Sequence, residues 1–156
     1  MSTTWKVIIG VIAGMFLLGA GTCVAGYVWF QNNAEDFKAK ADQVAAEAGE
    51  FAAAHEQSEC IDESLRKSDA CEGGALGAAM CRGMVSAFLT QCLDQARQTA
   101  GLCDGVPAAD DILGVSKWAV QRCIDLGRPG DQPCGQLISK VSVHCSIQSS
   151  SKTTGT

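Results

Sequence analysis

At 156 residues, with 17 Asp and Glu against 12 Lys and Arg and a net charge of −5, the chain has room for one modest core and lacks the basic surplus of a nucleic-acid partner. Nine cysteines stand beside only two histidines, His55 and His144, too few for a typical histidine metal site. Sulfur therefore carries most of what composition can say about architecture.

After a short flank at residues 1–6, residues 7–30 form 24 consecutive positions without a charged side chain. As a helix they would cover roughly 36 Å, enough to span a bilayer with some tilt. Trp5 at one end and Tyr27, Trp29 and Phe30 at the other suit the water–lipid boundary. Gly10 and Gly14 make a small-xxx-small pair of the kind that packs helices together in lipid. Two competing readings exist: a signal peptide cleaved near Val24-Ala25-Gly26, which would leave a secreted protein, and a lipid acceptor at Cys23, for which Ala20-Gly21-Thr22 is a poor lead-in. Lys6 on one side and Lys38 and Lys40 on the other leave the charge rule weak, so the cysteines set the orientation. Eight of them follow the span, which is expected on the oxidising, periplasmic or extracellular side.

Residues 31–58 read as a helical stalk rich in Ala, Glu, Gln and Lys, with no proline before Pro107 to interrupt it. Phe37, Ala41, Val44, Ala48 and Phe51 recur at steps of four and three, a seam of about two heptads that His55 and Ser58 continue in polar form. Phe37, Val44 and Phe51 are thus candidates for binding a partner, either a second copy or a membrane protein. Packing of the seam on its own chain is the plainer alternative. On an unbroken helix Cys60 would lie nearly opposite Phe51, pointing the seam away from a folded domain at residues 59–147.

Gly73-Gly74 interrupts the chain before a strongly apolar stretch from Ala75 to about Thr99, read as a central core helix, with a second membrane span as the lesser option. Arg82 is its only charge before Asp94. It is either a snorkelling arginine or a partner-binding anchor. Pro107 suits a helix start, Asp110 and Asp111 a first turn, and Ile112, Val115, Ala119, Cys123 and Leu126 line one stripe before Gly127. A last helix begins near Asp131 and Pro133, and residues 148–156 are expected to be a disordered tail.

Cysteines eleven positions apart on one helix share a face about 16 Å apart, too far for a bond, so they must reach a neighbouring helix. Antiparallel hairpins bond nested pairs with similar sums of residue numbers. Cys71 with Cys81 and Cys60 with Cys92 share one sum, and Cys123 with Cys134 and Cys103 with Cys145 make a second hairpin. A rival pattern comes from the repeated Cys-Ile-Asp or Cys-Leu-Asp at Cys60, Cys92 and Cys123, a period of 31 to 32 residues that would favour sequential bonds and leave Cys81 with Cys145. Over Cys60 to Cys92 the nested layout resembles the twin cysteine hairpins of the coiled-coil-helix-coiled-coil-helix class. That class has nine residues between cysteines along a helix and this chain has ten, and the resemblance implies layout alone.

No two of these cysteines are closer than ten residues, so redox CxxC, haem and zinc-knuckle spacings are absent, and the glycine-rich stretches lack a phosphate-loop pattern. His144 beside Cys145 is a helix-end histidine rather than half of a nucleophile pair if Cys145 is bonded, and Asp104, Asp110 and Asp111 are more often helix-start acids than a cation site. The expectation is an all-α protein in which one N-terminal transmembrane helix continues into a stalk and then a disulfide-braced helical-hairpin bundle. It would need no cofactor, bind membrane lipid through residues 7–30, and act as a non-enzymatic interaction or envelope-structural protein. An accessory subunit of a membrane complex is the alternative, and an enzyme using the aspartates stands third.

Overall fold

A computed structural model of the chain describes residues 34–36, 38–108 and 110–153, and divides it into two compact units, Met1–Lys40 and Ala41–Thr156. The apolar stretch 7–30, with Gly10, Gly14 and Cys23, and the seam residue Phe37 lie outside the described residues. In the first unit residues 34–36 and 38–40 are helical.

The second unit is all-helical: α1 (41–54), α2 (Gln57–Asp69), α3 (Ala75–Gln95), α4 (Ile112–Asp125) and α5 (Gln132–Thr153). Helices α2 and α3 form one antiparallel hairpin, α4 and α5 the other, and α5 also packs on α2 and α3. Four disulfides tie them, at Cys60–Cys92, Cys71–Cys81, Cys103–Cys145 and Cys123–Cys134, with Cα atoms 5.4 to 6.0 Å apart. Each closes a hairpin rather than bridging the two. Four such bonds in so small a body belong to an oxidising, extracytoplasmic environment.

The stalk and the domain are not separated as the wheel geometry suggested. The chain breaks at His55–Glu56, where Glu56 is extended at φ −98° and ψ 164° and pairs with Arg97 as a parallel bridge. Arg97 donates its N–H to the His55 carbonyl at 3.3 Å, and its own carbonyl accepts from Gln57 N–H at 3.0 Å. Thr99 Oγ1 takes the Ser58 N–H at 3.0 Å, and Glu59 Oε2 takes that of Glu56 at 2.8 Å. The backbone donors at the start of α2, which would otherwise be orphans, are thus met by residues 97 and 99. This explains why α3 stops at Gln95 rather than Thr99: the next residues bind the α1–α2 junction. It also frees α1 to fold back, and Ala48 and Ala52 are fully buried with Val44 and Phe51 half-buried against the core. Phe51 meets Phe88 edge to face at 6.0 Å and stacks on His55 at 4.0 Å.

That core is built around Phe88, Leu89 and Cys92 of α3, Cys60, Ile61 and Leu65 of α2, and Leu137, Ile138 and Val141 of α5. Among the described residues α3 is the one helix long and apolar enough to cross a membrane by length and composition. Its second half is buried in the bundle at Val85, Phe88, Leu89 and Leu93, while Leu76 and Met80 in its first half are exposed.

Helix α4 begins at Ile112, not near Pro107. Asp111 is its cap, its carboxylate accepting Gly114 N–H at 2.9 Å, and the turns before it use Gly101 and Gly105 at positive φ. The helix ends in a Schellman motif: Gly127, at φ +72°, donates to Ile124 O at 2.9 Å, and Arg128 N–H reaches Cys123 O at 2.7 Å. Asp131 then caps α5 by accepting Cys134 N–H at 3.2 Å. Residues 148–153, expected to lack regular structure, instead continue α5. No glycine or proline follows Gly135 within the helix, and Ser139, Ser146 and Ser149 return their hydroxyls to carbonyls four residues earlier.

Candidate functional site

Residues Ala79, Arg82, Gly83 and Ser86 of α3 follow the i, i+3, i+4, i+7 spacing of one helical face, as do Pro133, Gln136, Leu137 and Lys140 of α5. The two faces oppose each other across a groove of about 540 Å³ that Ser68 of α2 also lines. Small residues on the α3 side keep it open, and a Cβ built at Gly83 would touch nothing within 4 Å.

This groove brings two cations to one cleft. Arg66, Lys67 and Arg128 are neutralised, whereas Lys117 and Arg122 on the exposed side of α4 make no side-chain hydrogen bond or ion pair among the described residues. Arg66 is held by Glu63 at 2.6 and 2.8 Å, and Lys67 by Glu47 at 2.5 Å and Glu63 at 3.5 Å, with its ammonium 4.9 Å above the Phe88 ring. Arg128 grips both Asp69 oxygens and Asp131 Oδ2, tying the α4–α5 turn to the end of α2. These contacts push the carboxyls below their ordinary range: Arg66 does so at Glu63 and Arg128 at Asp69, and the arginines are raised in return. Glu59 is lowered too, first by the Glu56 backbone N–H and then by His55. By contrast, the side chains of Arg82 and Lys140 are exposed and make no hydrogen bond or ion pair among the described residues. No acidic residue lines the groove.

A second polar cluster lies where α2, α3 and α5 meet. His144, only 9 % exposed, donates from Nδ1 to Asp94 Oδ1 at 3.0 Å, and the single Nε2 lone pair is shared between the Gln57 amide at 3.1 Å and the Gln148 amide at 2.8 Å. The same Gln57 nitrogen donates to Leu93 O at 2.9 Å. The expectation of a solvated, helix-end histidine fails because α5 runs on past it. Its neighbours are two amides, a carboxylate and a bonded cysteine, which make a satisfied structural network. The only sequence signal was its place on the Cys134, Ile138, Val141, Cys145 stripe, one position from the last cysteine.

Of the other expected site residues, the structure gathers Val44 and Phe51 against the core of their own chain and leaves Arg82 facing the groove. Among the described residues no three His, Cys, Asp or Glu side chains are grouped to hold a metal, and Asp111 is engaged as a helix cap. Exposed apolar side chains concentrate on α4, where Leu113, Val120 and Ile124 form one stripe, 74 %, 57 % and 46 % exposed. No family model matches the chain, and no curated protein or solved structure shows significant similarity to it.

Proposed function

We propose that this is a non-enzymatic interaction or envelope-structural protein, carried on a membrane by residues 7–30 with its cysteine-rich domain on the oxidising side. The observation that carries this reading is the apolar stripe of Leu113, Val120 and Ile124 on α4, exposed on a helix that, among α2 to α5, contacts α5 alone. Three large aliphatic groups along one helix face, with Lys117 among them, suit the apolar contacts and single charge of a protein interface. The partner is a protein of the same membrane, docking through an apolar groove. The two disulfides of the second hairpin support the role by holding α4 rigid on α5 before it binds, which lowers the ordering cost of association.

Photo-crosslinking residues placed at Leu113 and Val120 in native membranes test this. Crosslinks that disappear in an Ile124→Asp variant, whose fold is intact by circular dichroism, are expected. A second reading, an accessory subunit whose spanning helix is itself the interface, draws on Gly10 and Gly14. It predicts crosslinks that depend on residues 7–30 and not on Ile124. Absence of either dependence removes both readings.

A further inference from the structure

We infer that the groove between α3 and α5 is a binding site for a phosphoryl group, held between Arg82 and Lys140 above the Ser68 hydroxyl. Two cations from different helices face one cleft, in a chain with acids to spare, and among the described residues neither has a carboxylate partner. Ser68 supplies an independent observation. The residue is 95 % buried, at 5 % exposure, and its hydroxyl, which makes no hydrogen bond among the described residues, opens to solvent through the groove, whereas that of Ser64 one turn earlier donates to Cys60 O at 2.7 Å. Ser68 lines the groove, so its hydroxyl can exchange solvent for a ligand oxygen there. The hydroxyl of Ser86, also on the groove, makes no hydrogen bond among the described residues.

The donor set selects the ligand class. Donors converge from three helices, α2, α3 and α5, and so from several directions, as a tetrahedral anion requires and a planar carboxylate does not. Arginine supplies a fork and lysine a point charge, a pairing that suits phosphate oxygens. At about 540 Å³ the groove exceeds one phosphate, and Leu137 and the small Ala79 and Gly83 offer uncharged wall for the group that carries it. The ligand is therefore a phosphate ester, free or as a lipid headgroup. This inference is independent of what docks on α4.

Full-length protein in a neutral maltoside detergent, titrated with inorganic phosphate, glycerol 3-phosphate and dihexanoyl phosphatidylglycerol and followed by backbone amide NMR and calorimetry, tests the site. Shifts confined to the groove are expected, with Arg82→Gln and Lys140→Gln each weakening binding about tenfold or more. Ser68→Ala should weaken it severalfold without lowering the urea midpoint. Lys117→Gln removes an equal charge from α4 and should leave affinity within about twofold. Binding of the soluble phosphates supports a free ester, and binding of the lipid alone supports a headgroup. No binding of any probe, equal binding of acetate, or equal loss in Lys117→Gln would overturn the site.

Discussion

Nested bridges make an unequal demand on the hairpin they close. In the α2–α3 hairpin the outer bond joins cysteines 32 positions apart and the inner one joins cysteines 10 apart. With the inner bond in place the chain is already short-circuited, so the outer bond closes an effective loop of 22 positions, the outer separation less the inner. The loop-entropy relation then gives about 3.4 kcal/mol for the outer bond and about 2.7 kcal/mol for the inner, a ten-position loop. Burial widens the gap. Cys60 and Cys92 are wholly buried, whereas Cys71 and Cys81 are half-exposed, so truncating the outer pair adds a cavity cost of about 1 kcal/mol. The double variant Cys60→Ala/Cys92→Ala should therefore lose about 4 kcal/mol and Cys71→Ala/Cys81→Ala less than about 3. In urea titrations of the detergent-solubilised chain, with a slope near 2 kcal/mol/M, the midpoints should fall by roughly 2 M and 1.4 M. An inner variant as damaging as the outer one would show that chain entropy and burial do not govern these bonds.

Three further outcomes follow from local geometry. Asp69 sits below its ordinary range because Arg128 binds it, so its contribution is present at neutral pH and disappears as pH falls through the folded-state value. Asp69 is 55 % exposed, so the screened contribution is on the order of 1 kcal/mol, and the unfolding midpoints of wild type and Asp69→Asn should differ at pH 7 and converge in acid. Gly127→Ala forces a Cβ onto a residue at φ +72° in the Schellman turn and should cost about 1 kcal/mol by thermal unfolding, with the disulfides unchanged by mass. Ala48→Asp buries a charge at a position with 0 % exposure; it should lower the unfolding free energy by about 3 kcal/mol or more, independently of protein concentration. A concentration-dependent loss would instead return the seam to an interface between copies.

What could be read from residues alone was whatever depends on neighbours in sequence. Gly73-Gly74, Gly127 and Asp131 mark helix ends by conformational preference and side-chain capping, and these forces act within a turn. The all-helical class and the oxidised compartment likewise follow from periodicity and from the count of eight cysteines after residue 30. Three features required the assembled bundle. His55–Glu56 is a break only because Arg97 and Thr99, some 40 residues on, satisfy the backbone there, so a wheel drawn through Phe51 and Cys60 had no means of detecting it. His144 is buried because Asp94 and Gln57 arrive from other helices to accept and donate its hydrogen bonds. Arg82 was conspicuous as a lone charge, but its pairing with Lys140 and Ser68 exists only once α3, α5 and α2 are side by side. Local preferences set where each rod begins and ends; which faces meet is decided by burial and long-range hydrogen bonds, which no short window of sequence contains.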